Sequence, residues 1–312
     1  MKTDISVIIL TNNEEKHIER CVKSLLAFTD KIFIVDSGST DRTVEIAESL
    51  GAKVVYNPWI TYAVQFNYGI DNNPFQTKWL MRMDADEYVM PELAEEINHK
   101  LSTLAEVITG VYVKRRVMFM NQWIRRGGYY PIWLLRLWQR NKGICEELWM
   151  DEHIKLSEGQ TIEFKNDIVD HNLNNLTWWT QKHNNYAIRE VIDLLDIKYN
   201  FADTDRVIPK LFGTQEQRKR FLKLKYASLP LFTRPFVYFL YRYFVKLGFL
   251  DGRKGLIWHF LQGLWYRFLV DAKIYEVKFR VGQDKQDIIE FFRNEYGKDL
   301  SSVQNRSISV RQ

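Results

Sequence analysis

The chain has 312 residues, of which 46% are hydrophobic, and a formal net charge of +5. This length allows one large catalytic domain with an appended region, and the composition excludes collagen-like, repetitive and low-complexity proteins. Cys21 and Cys145 are the only cysteines, so the sequence excludes a disulfide framework and favours a reducing compartment.

The N-terminal region alternates strand-like and helix-like segments. The apolar run 5–10 predicts a strand, and polar residues 11–13 can cap a helix whose apolar positions follow at 18, 22, 25 and 26. The run 31–35 predicts a second strand, which ends at Asp36 and the polar turn 37–41. A helix over 44–50 ends at Gly51, before a third strand over 53–56. This alternation predicts a parallel sheet covered on both faces.

An acidic motif follows the next apolar run, residues 79–83. Asp84 and Asp86, one residue apart, can hold a divalent cation against a nucleotide diphosphate. Such a short motif also occurs as a solvated turn, so alone it is weak evidence. Ligands of parallel sheets bind at the carboxyl ends of the strands. Five side chains are predicted at that edge: Asn12, Asn13, Asp36, Asp84 and Asp86.

Three ordered motifs resemble those of family 2 glycosyltransferases with the GT-A fold. They are residues 6–14 (SVIILTNNE), 35–41 (VDSGSTD) and 84–87 (DADE), and the resemblance covers residues 4 to about 200. It implies an α/β fold, Rossmann-like, with a mostly parallel central sheet and flanking helices. It also implies that Asp36 holds the base or ribose, that Asp86 holds a metal, Mg or Mn, and that Asp84 contacts the ribose or the metal's water shell. The remaining nucleotide-pocket residues implied are Thr11, Asn12 and Glu14.

Later segments resemble the bacterial transferases that build lipopolysaccharide core, capsule and exopolysaccharide. This resemblance implies that Gln65 and Asn67 lie near the nucleotide, although Phe66 stands where a basic residue is expected. It also implies a catalytic base in residues 149–153. Glu152 is the preferred base and adjacent Asp151 the second candidate, while a solvated acidic turn remains the alternative.

The segment beginning at Asp170 resembles the one that closes over the diphosphate. His171 is a candidate further metal ligand, with a hydrogen-bonded surface histidine as the alternative. Lys182 and Tyr186 are candidates for diphosphate contact, although a solvated helix face explains Lys182 equally well. Arg136 is expected to meet an acceptor phosphate or, alternatively, to form a structural ion pair.

The reaction requires these residue types. A cation held by Asp86 would neutralise charge on the departing phosphates, and a carboxylate would remove the acceptor's proton. The sequence therefore predicts a metal-dependent, inverting glycosyltransferase that uses a nucleotide diphosphate sugar, with a UDP-sugar preferred. The expected acceptor is lipid-linked, lipopolysaccharide or exopolysaccharide. The alternatives are a nucleotidyltransferase, which would need a glycine-rich loop after the first strand, and an inactive glycan- or membrane-binding scaffold.

The charge is concentrated in the C-terminal region. Residues 206–280 contain 16 Lys and Arg against 4 Asp and Glu, together with many aromatic residues. We expect a helical region over 201–300 that binds an anionic membrane surface through Arg234, Arg242 and Lys246, after a catalytic domain over 1–200. The alternative is an aromatic core of a helical domain.

The remaining expectations concern location and partners. The N-terminus has no signal-peptide pattern, which favours the cytoplasmic side, with peripheral attachment to the inner face of the plasma membrane. A disordered tail is expected over 301–312. No nucleic-acid-binding motif is present, so we expect no nucleic-acid partner.

Overall fold

The computed structural model describes residues 3–146, 153–201, 215–298 and 300, with the side chains of residues 215–220 left out. The backbone forms two compact units. The first comprises residues 1–175 and 244–256, and the second comprises residues 176–243 and 257–312. The division into a catalytic part up to residue 200 and a membrane-binding part beyond it stays a prediction.

The first unit is built on a nine-stranded mixed sheet with the strand order β3-β2-β1-β4-β8-β6-β11-β5 and with β7 paired to β6. Its strands are β1 (Ile5–Thr11), β2 (Ile32–Asp36), β3 (Lys53–Tyr56), β4 (Trp79–Asp84), β5 (Glu87–Val89), β6 (Ile108–Phe119), β7 (Gln122–Ile124), β8 (Ile132–Gln139) and β11 (Gln160–Asp170). A separate antiparallel pair is formed by β9 (Gly143–Cys145) and β10 (Ile154–Leu156). The helices of this unit that precede residue 175 are α1 (Ile18–Leu25), α2 (Thr43–Ser49), α3 (Tyr62–Asp71) and α4 (Pro91–Lys100).

The predicted α/β fold class is confirmed, and the parallel strands lie where the sequence places them. Strands β1 to β4 pair in parallel, and β1 lies between β2 and β4. Thr11 pairs with Asp36, and Leu10 pairs with Asp84, so the polar strand ends meet at one edge. Beyond β4 the sheet is mixed: β8 is antiparallel to β4 and β6, and β6 is parallel to β11.

The second unit is helical in its described part. Its helices are α5 (Leu176–Tyr199), α6 (Gln215–Ala227), α7 (Arg234–Leu240), α9 (Tyr266–Val281) and α10 (Lys285–Tyr296), with π-helical turns at Tyr241–Val245 and His259–Trp265. Helix α8 (Gly252–Trp258) begins in the first unit. Trp258 and Tyr266 are buried, so part of the aromatic content forms a core, as the alternative interpretation expected. None of the described helices combines the length and the apolar character needed to cross a membrane.

Arg234 does not lie at the surface, contrary to its expected contact with a membrane. Its side chain is 2% exposed, and its Nη2 lies 2.5 Å from Oδ1 of the fully buried Asp271. Its Nη1 also donates to the carbonyl oxygen of Ala227, at 3.2 Å. A guanidinium held in this way pairs two helices of the unit, because charge inside a protein requires a partner.

We therefore expect Arg234→Gln to lower the free energy of unfolding by about 3–5 kcal/mol, since it leaves the Asp271 carboxylate buried without a counter-charge. Chemical denaturation measures this change. Arg253→Gln is the matched control because Arg253 is exposed, and it should shift the free energy by less than about 0.5 kcal/mol. Equal stability of the two variants would contradict a structural role for the pair.

Candidate active site

Asp36 organises the turn that follows β2. Its carboxylate accepts hydrogen bonds from Thr11 Oγ1 (2.7 Å), from the backbone N–H groups of Gly38 and Ser39 (both 2.8 Å) and from Ser39 Oγ (2.5 Å). Asp36 is only 4% exposed, and Gly38 has a φ of +100°, a conformation that favours glycine. The carboxylate thus fixes the shape of the edge, and its contact with a base or ribose stays a prediction.

The loop after β1 is joined to that turn by Asn13. Asn13 Oδ1 accepts from the Thr40 N–H at 2.8 Å, and the Asn13 N–H donates to Ser39 Oγ at 2.8 Å. Its φ of 58° lies in the left-handed region, which asparagine tolerates better than most residues. The neighbouring Asn12 side chain is exposed at this edge, where it can reach a ligand.

Glu14 is connected to the segment after β11 through the buried His17. His17 Nε2 accepts from the Leu173 N–H at 2.8 Å, so the proton of the neutral ring is on Nδ1. Nδ1 then donates to Glu14 Oε2 at 2.6 Å. This chain of contacts joins the loop after β1 to residues 172–174, which follow the candidate metal ligand His171.

The amides on α3 hold neighbouring backbone in place. Gln65 is buried, and it exchanges two hydrogen bonds with Asn57, at 2.7 and 2.9 Å. Asn67 exchanges two with the Cys145 backbone, both at 2.9 Å. Phe66, between them, is fully buried in the core. Gln65 and Asn67 therefore position the ends of β3 and β9, and their contact with a nucleotide stays a prediction.

The preferred base Glu152 and its alternative Asp151 lie outside the described residues. The described strands β9 and β10 flank that segment and pair with each other, with Cys145 opposite Ile154. Asn67 thus anchors the chain immediately before the segment that the resemblance assigns to catalysis.

Asp84 lies among cations at the end of β4. Tyr62 Oη donates to Asp84 Oδ1 at 2.9 Å, and Arg136 Nη2 donates to Oδ2 at 3.4 Å. Burial raises the pKa of Asp84, but the guanidinium groups of Arg136 and Arg82 outweigh it and hold that pKa well below its usual range. Asp84 is therefore ionised at neutral pH. It is 33% exposed and remains accessible to a ligand.

Arg136 forms a buried ion pair with Glu87. Its Nη2 lies 2.5 Å from Glu87 Oε1, and the two side chains are 3% and 1% exposed. Burial raises the pKa of Glu87, the Arg136 guanidinium opposes this effect, and the neighbouring Asp84 carboxylate reinforces it. This placement favours the structural ion pair over contact between Arg136 and an acceptor phosphate.

Arg20, on α1, joins Asp86 to His171. Its Nη2 donates to the carbonyl oxygens of Asp86 (3.1 Å) and His171 (2.5 Å), and the His171 N–H donates to the Asp86 carbonyl at 3.1 Å. Asn172 Nδ2 donates to Asp86 Oδ2 at 3.0 Å. The two candidate metal-binding residues are therefore adjacent, as the sequence interpretation requires.

The donor set fits a hard cation at Asp86 better than at His171. The second carboxylate oxygen of Asp86 accepts no hydrogen bond from the described residues, so it can coordinate an ion. His171 Nδ1 faces the Arg20 guanidinium, so the ring proton is on Nε2, which donates to Asn121 Oδ1 at 2.9 Å. Burial and Arg20 lower the pKa of His171 and keep the ring neutral. His171 can bind a metal through Nε2 only after its contact with Asn121 is released and the ring proton moves to Nδ1, and this also requires the loss of the Nδ1 contact with Arg20.

Among the described residues no group of three or more His, Cys, Asp or Glu side chains could hold a metal ion. Mg²⁺ in nucleotide sites is typically bound by one or two carboxylates together with substrate phosphates, and this requires no such cluster. Asp86 therefore fits a cation that is shared with a diphosphate.

Lys182 and Tyr186 lie one turn apart on α5, in the second unit. Lys182 Nζ lies 4.5 Å from the centroid of the Trp178 ring and 5.6 Å from that of Tyr186. The ammonium group is thus held against aromatic rings of its own helix, and its contact with a diphosphate stays a prediction.

Sequence reasoning missed Arg20, Tyr62 and Asn172. Arg20 stands in an amphipathic helix among other charged residues, and nothing in the helix pattern distinguishes it. Tyr62 belongs to the same segment as the predicted residue Gln65, and Asn172 directly follows the predicted residue His171. Their positions in the sequence could therefore have indicated both residues.

The sequence is similar to those of proteins that are named glycosyltransferases. The chain is 27% identical over 288 residues to an uncharacterised glycosyltransferase of Rickettsia typhi, covering 88% of each. It is 29% identical over 285 residues to the lipopolysaccharide core biosynthesis glycosyltransferase LpsC of Rhizobium meliloti, covering 88% of this chain and 93% of that protein. The structure of glucosyl-3-phosphoglycerate synthase from Mycobacterium tuberculosis with Mn²⁺, UDP and glucosyl-3-phosphoglycerate is 25% identical, with a TM-score of 0.31; the match covers 38% of this chain and 44% of that one.

The two sequence relatives that match most of the chain are both named glycosyltransferases. Residues 6–151, just under half of the chain, match the profile of glycosyl transferase family 2, so this part of the chain is a domain of that family. The profile covers β1 to β9 and includes Asp36, Asp84 and Asp86, whereas His171 lies beyond it.

Proposed function

We propose that the protein transfers a sugar from a nucleotide diphosphate donor, preferably a UDP-sugar, to a lipid-linked, lipopolysaccharide or exopolysaccharide acceptor, with inversion at the anomeric carbon. The observation that carries the proposal is the Asp86 carboxylate, which has one uncommitted oxygen at the polar edge of the sheet, beside ionised Asp84. Arg136 and Arg82 already neutralise Asp84, so it is the Asp86 carboxylate that would need a cation in order to bind a diphosphate.

The donor would lie along the polar edge between β2 and β4. The loops after β1 and β2 are fixed by Asn13 and Asp36, so the exposed Asn12 would face a base and ribose from a rigid loop. Thr11 is buried and supports this edge through its hydrogen bond to Asp36. Asp84 can accept a ribose hydroxyl. Preorganised side chains lower the entropy lost on binding.

A divalent cation, Mg²⁺ or Mn²⁺, would be held by Asp86. His171 would join only after Nε2 releases Asn121, the ring proton moves to Nδ1, and Nδ1 releases Arg20. When bound, the ion supplies positive charge for the departing diphosphate. Arg20 donates two hydrogen bonds, to the Asp86 and His171 carbonyl oxygens, and the His171 N–H donates a third to the Asp86 carbonyl. Asn172 holds the Asp86 carboxylate itself. The remaining chemistry belongs to the acceptor side, where Glu152, or Asp151 next to it, would take the proton from the attacking hydroxyl.

The acceptor class is proposed from the relatives. LpsC, which matches over most of both chains, is named for lipopolysaccharide core biosynthesis. A lipid-anchored acceptor of this kind lies at a membrane surface, so the enzyme would work at the cytoplasmic face of the plasma membrane.

Residues 244–250 support membrane attachment. Phe244, Val245, Leu247, Phe249 and Leu250 are each at least 42% exposed within seven consecutive residues. The adjacent segment is held to the first unit: Asp251 Oδ2 accepts from the Arg126 N–H at 2.9 Å, and the Lys246 carbonyl accepts from the Gly127 N–H at 2.9 Å. An ordered segment with exposed apolar side chains and basic neighbours fits the interface of an anionic bilayer.

We expect the double variant Val245→Ser and Leu250→Ser to weaken binding to phosphatidylglycerol-containing liposomes at least about tenfold, because each aliphatic side chain that enters the bilayer contributes about 1.5–3 kcal/mol. The loss should persist at high salt, since the apolar part of binding is not screened. Liposome flotation measures this change.

The matched control for this prediction is the double variant Val107→Ser and Ile144→Ser. These two aliphatic side chains are 51% and 57% exposed in the same unit, outside the 244–250 segment. Equal flotation of the two double variants, or no flotation of the wild type, would contradict attachment through this segment.

The proposed function as a whole is tested by thermal stabilisation with a panel of nucleotide diphosphate sugars, with Mg²⁺ or Mn²⁺ and with EDTA. A raised melting temperature with one donor and a divalent metal supports the proposal. Absence of stabilisation by every donor contradicts it.

A further inference from the structure

A set of basic and aromatic side chains on β6, β7 and β8 has no part in the function proposed above. Lys114 and Arg116 stand two residues apart on β6 and therefore point to the same face. Trp133 of β8 is opposite Lys114, and Trp123 of β7 is opposite Met118, which shares that face with Arg116. We call Lys114, Arg116, Trp123, Arg125, Tyr130 and Trp133 the basic-aromatic cluster.

The cluster contains more positive charge than its own carboxylate neutralises. The buried Asp167 carboxylate lies 2.5 Å from Arg116 Nε and 3.4 Å from Lys114 Nζ, and it accepts from Tyr130 Oη. A single carboxylate thus faces two cations. Arg125 is exposed and makes no ion pair with a described residue. Lys114, Arg116, Arg125 and Asp167 together carry a formal charge of +2, and the further carboxylate that interacts with Arg125, Asp251, also interacts with Arg126.

The aromatic rings hold the guanidinium groups in place. The Arg116 and Arg125 Cζ atoms lie 4.4 and 4.5 Å from the centroid of the Trp123 ring. The Trp123 and Tyr130 rings meet edge to face, with centroids 4.9 Å apart. A cationic side chain held over an aromatic ring loses less conformational entropy on binding a ligand than a mobile side chain does. Guanidinium groups bind phosphate and carboxylate through paired hydrogen bonds.

The cluster adjoins the candidate metal-binding residues. Asn121, two residues before Trp123, accepts a hydrogen bond from His171 Nε2. On the other face of β6, Arg115 lies 3.5 Å from Asp170, the residue before His171. A molecule bound at the cluster would therefore lie close to the donor diphosphate, on the side where the sheet becomes antiparallel.

We propose that the basic-aromatic cluster binds a negatively charged group, a phosphate or a carboxylate, on the acceptor saccharide. Arg125 and Arg116 contact the anion, and Lys114 adds to the local positive potential. The proposal rests on the glycosyltransferase function proposed above. The sequence predicted that Arg136 contacts an anion on the acceptor, but Arg136 is buried. In this proposal Lys114, Arg116 and Arg125, which are partly or fully exposed, have that role instead.

The test uses glucose 6-phosphate, glucuronate and glucose as probes of the whole protein, observed through the indole N–H resonance of Trp123, which Trp123→Phe identifies. At least one anionic probe should shift this resonance, and glucose should not. Comparison of the two anionic probes shows whether phosphate or carboxylate is preferred. Arg125→Gln should weaken binding of the anionic probe at least tenfold. Arg125→Lys, which keeps the charge but cannot form the paired hydrogen bonds, should weaken binding less than Arg125→Gln does, and Arg253→Gln should have no effect.

The proposal is overturned if glucose binds as well as the anionic probes, if neither anionic probe binds the wild type, or if Arg125→Gln binds them unchanged. UDP affinity in the presence of Mn²⁺ is measured on the same samples and should be the same in Arg125→Gln and wild type. A wild type that binds the anionic probes but no nucleotide would contradict the glycosyltransferase proposal and leave the anion site standing.

Discussion

Asp86→Asn should reduce the affinity for UDP in the presence of Mg²⁺ or Mn²⁺ by more than about tenfold and leave the weaker affinity in EDTA unchanged. Removal of a residue that hydrogen-bonds to a metal ligand typically reduces metal affinity about 10–100-fold. Removal of the ligand itself should have at least this effect. The amide keeps the size of the side chain and can still accept the hydrogen bond from Asn172, so the fold should be preserved. Titration calorimetry with and without metal measures both affinities.

Asp71→Asn is the matched control, because Asp71 is an exposed carboxylate at the end of α3 and is not part of the proposed donor site. Its metal-dependent UDP affinity should equal that of the wild type. If Asp86→Asn also bound UDP and metal as the wild type does, Asp86 would not be the metal ligand.

Glu152→Gln should bind the donor normally and lose transfer by about 10²–10⁴-fold, because the amide keeps the shape of the side chain and cannot accept the acceptor's proton. The measurement is turnover with an added acceptor, compared with donor affinity in the same preparation. Asn67 and the β9–β10 pair fix the described chain on both sides of this segment.

Asp151→Asn distinguishes the two adjacent carboxylates. If Asp151→Asn loses transfer and Glu152→Gln does not, the base is one residue earlier. If both variants transfer at the rate of the wild type, the acceptor proton is removed by a group outside residues 151–152, and this part of the proposal is wrong.

The polar edge of the sheet could be predicted because it depends on local pattern. An apolar run followed by Asp36 or by Asp84 indicates a buried strand and its end, and parallel strands place their ends together. The mixed half of the sheet, beyond β4, could not be obtained in this way. Its strands β6, β8 and β11 pair with partners far away in sequence, and only the folded chain shows which strands become neighbours.

The roles of single arginines were the hardest to predict. Arg136 has one signal: it stands in the otherwise apolar run 132–138, which is typical of a strand that is buried on both faces. Arg234 has no such signal, because its partner Asp271 lies 37 residues later on another helix. Arg20 likewise obtains its role from residues 86 and 171. A charged side chain pairs with whatever the tertiary fold brings to it, and local sequence does not specify that partner.

The most direct test of glycosyltransferase activity is release of nucleoside diphosphate from each member of a nucleotide-sugar panel by the wild-type protein, with Mg²⁺ or Mn²⁺ and with EDTA. We predict that one donor, preferably a UDP-sugar, is hydrolysed slowly with metal, that EDTA abolishes the release, and that Asp86→Asn behaves in metal as the wild type does in EDTA. Release that is unaffected by EDTA and by Asp86→Asn, or no release from any donor at any metal concentration, would contradict a metal-dependent transferase centred on Asp86.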